Sequence, residues 1–286
     1  MKNLIHFLTK VNLKRQIVLM FIIFISADTI CQTPPEEFFK GLDLLEINQQ
    51  QAKQEFLLAI KKDSLFHGSY HFLGVIYIND NQLDSAINSF IKSIDLNKNN
   101  ANHTREMAFV RLIDTYLTKL DFMNAFNSAW EAYIQYPENT TIERYFKDVC
   151  LWSFYINHAN LDSSYLQKDL KEEYIVNSVD EEYLILRRIQ INGQNLIPNG
   201  QRLVNKKKAS FDIISCQVPD SGETIDVSFK LNWDLKKFYG GTISNTKSVY
   251  DNQENPIYAR IGALLVSDPK QDIKKAVEEI LHHKNE

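Results

Sequence analysis

HGSYHFLGVIYINDNQLDSAINSFIKSIDLNKNN, residues 67–100, is the stretch that decides the fold. With His67 as position 1, Tyr70, Leu73, Gly74 and Tyr77 stand at positions 4, 7, 8 and 11, and Ala86, Phe90 and Ser93 at 20, 24 and 27. Spacings of three and four place each set on one face of a helix, so the stretch reads as two packed helices. Gly74 and Ala86 are small enough to let the two backbones approach where the helices cross. The pattern recurs on both sides. Upstream, Gly41, Leu44, Ala52, Phe56 and Ala59 repeat it with one residue fewer between the helices. Downstream, Leu112, Tyr116, Ala125, Ala132 and Pro137 repeat it after an insertion of about five residues near 97–105. In that third copy Ile113 replaces the small residue and Ala129 the aromatic one.

A 34-residue period with these residues resembles the tetratricopeptide repeat family. Its signature positions here are Gly41, Ala52, Phe56, Tyr70, Leu73, Gly74, Tyr77, Ala86, Phe90, Tyr116, Ala125 and Pro137. The resemblance covers residues 34–168, about three helix pairs. TIERYFKDVCLWSFYINH adds Tyr145, Val149, Trp152 and Ile156 on one stripe, as a fourth first helix or as the capping helix that a solenoid needs over its last apolar face. The resemblance implies binding of a protein or peptide in the groove lined by the first helix of each pair. Carried over by position, the groove residues are Gly68, His71, Val75, Ile78 and Asn79, then Met107, Val110, Asp114, Leu117 and Thr118. The Lys, Arg and Asn clamp of the family's acidic-tail readers is absent, so an apolar or extended segment is the expected ligand. Packing of these side chains against the protein's own C-terminal part is the competing expectation.

Composition bounds the rest. The chain has 286 residues, 32 Lys+Arg and 36 Asp+Glu, giving a net charge of −4. An acidic balance excludes the Lys/Arg excess of non-specific nucleic-acid binding. Nine glycines and seven prolines are too few for collagen-like, low-complexity or turn-dense all-β chains. Three cysteines do not make a disulfide scaffold.

The N-terminus, MKNLIHFLTKVNLKRQIVLMFIIFISADTICQ, puts Lys2, Lys10, Lys14 and Arg15 before an apolar run from Ile17 to Ile25. That run has the length of a signal-peptide core and is short of a bilayer span. Residues 1–31 read as an export signal, with Thr29 and Cys31 allowing a cut before Gln32. An uncleaved anchor and a lipidated Cys31 stand as alternatives, and are the only membrane attachments expected. The expected location is periplasmic or secreted. Removing residues 1–31 takes four basic groups and one acidic group, leaving 28 Lys+Arg against 35 Asp+Glu, a net −7. In an oxidising compartment Cys150 and Cys216 are either buried free thiols or a disulfide.

From about residue 170 the pattern changes, and 170–286 reads as a small α+β domain, making the whole chain α+β. Ser178 with Glu181 is a capping-box signature opening a helix with Val179, Tyr183, Leu184 and Ile189 as apolar positions. NGQNLIPNGQ reads as a polar loop. FDIISCQV and TIDVSFKLN flank PDSGE as a hairpin, with Ile225, Val227, Phe229 and Leu231 alternating against polar neighbours. IYARIGALLV is a third strand candidate. The last helix, DPKQDIKKAVEEIL, carries Ile273, Ala276, Val277, Ile280 and Leu281, with Asp268 as candidate N-cap and Pro269 in its first turn. VNSVDEEYLIL, GQRLV and FDII also resemble an uncharacterised domain of secreted proteins from Bacteroidota-type bacteria, which implies no activity.

No nucleophile-elbow, dinucleotide, phosphate-loop or C-x-x-C motif occurs. Glu181 and Glu182 point about 100° apart on a helix and read as first-turn charges. His67 and His71 share a helix face without the carboxylate of a zinc motif. His282 and His283 read as solvated groups at a helix end, and Arg202 with Lys206–Lys208 as a solvated basic run. The expectation is therefore a non-catalytic interaction protein with no cofactor or metal. The alternatives are a hydrolase-like activity of the C-terminal domain around Asp226, Asp234 or a histidine, and glycan or small-ligand binding by Trp233, Phe238 and Tyr239.

Overall fold

The computed structural model describes residues 33–206, 209–232, 246–268 and 271–282. The expected export signal, Lys207, Lys208, Trp233, Asp234, Phe238, Tyr239, Pro269 and His283 lie outside the described residues. The chain is mixed α and β and divides into two compact units, residues 1–119 with 134–136 and residues 120–133 with 137–286. Among the described residues no helix is long and apolar enough to cross a membrane.

The first unit is a succession of helices, α1 (Glu36–Leu44), α2 (Gln49–Lys62), α3 (His67–Asn79), α4 (Leu83–Leu96) and α5 (Thr104–Thr118). Each packs on the next, and α3 also packs on α5. Connections this short force sequential helices to run antiparallel. The Asn48 side chain caps α2 by accepting from Gln51 N. At the α3–α4 turn Asn81 takes a left-handed conformation (φ 56°), which asparagine tolerates. Lys53 of α2 binds Asp80 at 3.1 Å and lies 4.5 Å over the Tyr77 ring. Phe38, Phe56, Phe66 and Phe72 form the aromatic centre of the core, with Phe56 and Phe72 stacked at 5.5 Å.

Two crossings share one device. A Cβ on Gly41 would meet the Phe56 ring at 2.6 Å, and one on Gly74 would meet the Phe90 ring at 2.5 Å. Leu73, Ala52 and Ala86 are buried beside them, whereas Tyr70, Tyr77 and Tyr116 are half-buried. The insertion before α5 is an ordered cap. Asn97 bonds both N and O of Ala101, and Asn100 Oδ1 accepts from Arg105 N at 3.1 Å.

Just after α5, Leu120 holds φ 61° with its side chain 44% exposed. A left-handed leucine is strained, and little packing would be lost with it. Leu120→Asn should therefore stabilise the chain by about 0.5–1 kcal/mol, read as a higher urea midpoint. An unchanged midpoint would mean that the strain is relieved elsewhere.

The second unit holds α6 (Phe122–Gln135, apart from its last two residues), α7 (Thr140–His158), α8 (Val179–Leu186), α9 (Thr246–Asp251), α10 (Ile257–Ser267) and α11 (Ile273–His282). Ala125, Ala129 and Ala132 of α6 are fully buried, and Pro137 is exposed in the α6–α7 turn. Asn139 caps α7, accepting from Thr141 N and Ile142 N. Val149 and Trp152 are buried as expected, but Phe146, Cys150, Phe154 and Tyr155 are buried too. A single-stripe cap is too narrow a description of α7, because α8, α10 and α11 all pack on it.

The sheet runs β1 (Tyr174–Val176), β6 (Thr224–Leu231), β5 (Ala209–Gln217), β4 (Ile197–Lys206), with β1 parallel to β6 and the others antiparallel. A separate hairpin joins β2 (Gln190–Ile191) to β3 (Gln194–Asn195). Register puts Asp212 opposite Phe229, Ile214 opposite Val227 and Tyr174 opposite Phe229, so these side chains share the inward face. The β4 edge is blunted by Pro198, a register shift at Pro198/Gly200 and Lys206.

Three expectations for this half need correction. IYARIGALLV is a helix, not a strand: after Pro256 it buries Ala259, Gly262 and Ala263 at i, i+3 and i+4. A short apolar run does not distinguish the two by periodicity. NGQNLIPNGQ is not a loop: Asn192 (φ 52°) and Gly193 (φ 74°) form a tight turn between β2 and β3, and β4 starts at Ile197. The cap of α11 is Asp272, accepting from Lys275 N at 2.8 Å, whereas Asp268 stands at the end of α10.

Candidate functional site

The first site to test is the face made by α3 and α5 of the first unit. It is uneven. Val75 and Ile78 of α3 and Val110 of α5 are half-buried, with Met107 and Thr118 beside them, and Asn79 is exposed. His71, Gly68, Asp114 and Leu117 are buried. The accessible part of the expected groove is thus Val75, Ile78, Asn79, Met107, Val110 and Thr118, a largely apolar strip with two polar members. His71 works as a core group, lying edge-on to Phe72 and Phe90 at 5.3 and 5.8 Å. Burial, and secondarily the charges of Arg111 and His67, push its pKa down to about 3, so the ring is neutral at ordinary pH. Burial also takes His67 down to about 4. Among the described residues no cluster of three or more His, Cys, Asp or Glu is arranged to hold a metal.

The second site was missed at the level of sequence. Glu181 and Glu182, expected as first-turn charges, are both 0% exposed. Ser178 caps α8 as expected, its Oγ accepting from Glu181 N at 3.2 Å. Glu181 Oε2 reaches back to accept from Asn177 N at 2.7 Å. Neither oxygen of Glu182 has a hydrogen-bond partner. Asp212, on the inward face of β5 and 1% exposed, acts on Glu182 with its charge. Its Oδ2 accepts from Gln201 Nε2 at 2.5 Å, and its Oδ1 has no partner. Burial, with the neighbouring carboxylates, pushes Glu182 up to about 8, and burial pushes Glu181 up to about 7. Burial raises Asp212 as well. The available signal was Asp212 itself, a carboxylate on the same face of the strand as Ile214 and Cys216, both apolar.

Asp226 belongs to neither site. It lies on the outer sheet face, bonded to Arg202 and accepting from Ser215 Oγ at 2.7 Å, and these bonds hold its carboxyl below the usual range. Lys206 lies 5.0 Å over the Phe211 ring. Cys150 and Cys216 are free, buried thiols, which corrects the disulfide alternative. Burial raises both, Cys216 to about 11, so neither forms a thiolate readily.

No protein-family model matches the chain, and none of the curated proteins does.

Proposed function

We propose that this chain is a non-catalytic exported protein of tetratricopeptide type that binds a protein or extended peptide partner across α3 and α5. The observation that carries the reading is the repetition of one crossing: Gly41 against Phe56, then Gly74 against Phe90, glycines 33 and phenylalanines 34 residues apart. Stacked helix pairs built on such crossings leave their first helices side by side, and this creates a surface for extended ligands. Half-buried Val75, Ile78 and Val110 give that surface its apolar character. Export rests on the basic stretch and apolar run of residues 1–31, and the net-acidic remainder disfavours nucleic acid as the partner.

A hydrolase-like reading draws on Glu181, Glu182 and Asp212, whose carboxylates have the unequal proton affinities that acid–base chemistry uses. Their complete burial weighs against it, since a substrate atom must come within hydrogen-bond reach of such a group.

Affinity capture with the tagged chain from its native envelope fraction tests the binding reading. Val75→Glu and Val110→Glu should each lose the bound species at least about tenfold while circular dichroism and melting stay those of a folded chain. Undiminished capture by both folded variants would remove the α3–α5 face from consideration.

A further inference from the structure

We propose that Glu182 and Asp212 form a proton-operated latch, in which α8 stays docked on the sheet while Glu182 carries a proton and opens when it ionises. The latch concerns the second unit alone and is independent of the partner-binding reading.

The geometry leaves few other roles for the proton. Glu182 is 0% exposed and has no donor on either oxygen, so an ionised carboxylate there has neither water nor hydrogen bonds to replace its hydration. Asp212 accepts from Gln201 on Oδ2, and its Oδ1 has no hydrogen-bond partner. Burial is the main obstacle to an ionised Glu182, and the charge of Asp212 adds to it.

The surrounding charges do not relieve this. On α8 itself stand Asp180 and Glu181, both acidic. From β5 comes Asp212, and from β4 the neutral Gln201. The inward residues of β1 and β6 are Tyr174, Val176, Val227, Phe229 and Leu231, none charged. From α7 come the Tyr155 hydroxyl and Asp148, and Asp148 takes the Arg187 guanidinium at 2.7 Å. Arg188 donates to the Leu166 carbonyl at 2.9 Å.

The direction of the pH response follows. Docked Glu182 titrates near 8 and docked Glu181 near 7, whereas an opened α8 returns both toward 4.5. The opened form sheds its protons first, so docking is complete below about pH 4.5 and weakens as pH rises from there to about 8.

Hydrogen exchange of the intact chain tests the latch, with rates corrected for intrinsic pH dependence. Between about pH 5.5 and about pH 8.5 the amides of Val179–Leu186 should lose protection by about tenfold or more, and those at the centre of α7 should not. In Glu182→Gln, which keeps the shape of the protonated acid, the loss should shrink severalfold, to the smaller share that Glu181 contributes. Equal protection of α8 at both pH values in the wild type would overturn the proposal, as would the same loss in the Gln variant. Carboxyl-carbon NMR titration of the wild type supplies a measurement free of mutation. A Glu182 midpoint well above 4.5 is expected, and ordinary midpoints for every glutamate would overturn the latch.

Discussion

Gly262→Ala is expected to destabilise the second unit by about 3 kcal/mol or more, the largest effect of any single methyl group considered for this chain. A Cβ on Gly262 would lie 2.2 Å from the carbonyl oxygen of Cys150, 2.9 Å from its carbonyl carbon and 2.9 Å from the Phe154 Cβ. None of these atoms is the far end of a flexible side chain. Relief requires α10 to move away from α7, which opens the packing of Ala259 and Ala263 along the same face. A loss of that size should lower the thermal midpoint by roughly 10 °C. Gly200→Ala is the matched control. Its Cβ would find only Ser215 at 3.6 Å, ordinary contact, so stability should stay within about 0.5 kcal/mol. Equal behaviour of the two variants would contradict the close approach of α7 and α10.

Gly74→Ala should cost about 2 kcal/mol in the first unit, because the new methyl would sit 2.5 Å from a Phe90 ring that is itself completely buried. The interpretation is checked by a second substitution. Phe90→Leu removes the ring atoms that clash, so the double variant should be more stable than the sum of the two single losses by about 1 kcal/mol. Additive losses would mean that Gly74 matters for a reason other than this crossing. Gly41 and Phe56 should behave as the same pair one helix pair earlier.

These glycines also show how much of the molecule was readable from residues alone. The spacing of Leu73, Gly74, Ala86 and Phe90 placed α3 and α4, because helical packing is local in sequence and its stripe survives as a period. Ser178 marked the start of α8, and the alternation from Ile225 to Leu231 marked β6, for the same reason. IYARIGALLV was misread because its apolar residues dominate the small-residue spacing of Ala259, Gly262 and Ala263. That spacing gains meaning only once α7 lies against it. The Asn192–Gly193 turn was legible in principle, and the polar residues around it masked it.

The sites divide along the same line. Which helix face carries His71, Val75, Ile78, Val110, Asp114 and Leu117 follows from helical period alone. How deep each one lies depends on what packs beside it, so His71, Asp114 and Leu117 are buried while Val75, Ile78 and Val110 reach the surface. The carboxylates of Glu181 and Glu182 lie on the first turn of a helix, where charge is ordinarily solvated. Their burial is a tertiary event, set by the docking of α8 and by Asp212 standing some thirty residues away in sequence.

Partner binding by the α3–α5 face is the central claim, and site-specific photo-crosslinking tests it most directly. A photoreactive side chain at Ile78, half-buried on α3, should give a discrete adduct in the native envelope. The same group at Ile91, exposed on α4, should give none. An adduct at Ile91 with none at Ile78, or none at either position, would contradict the account.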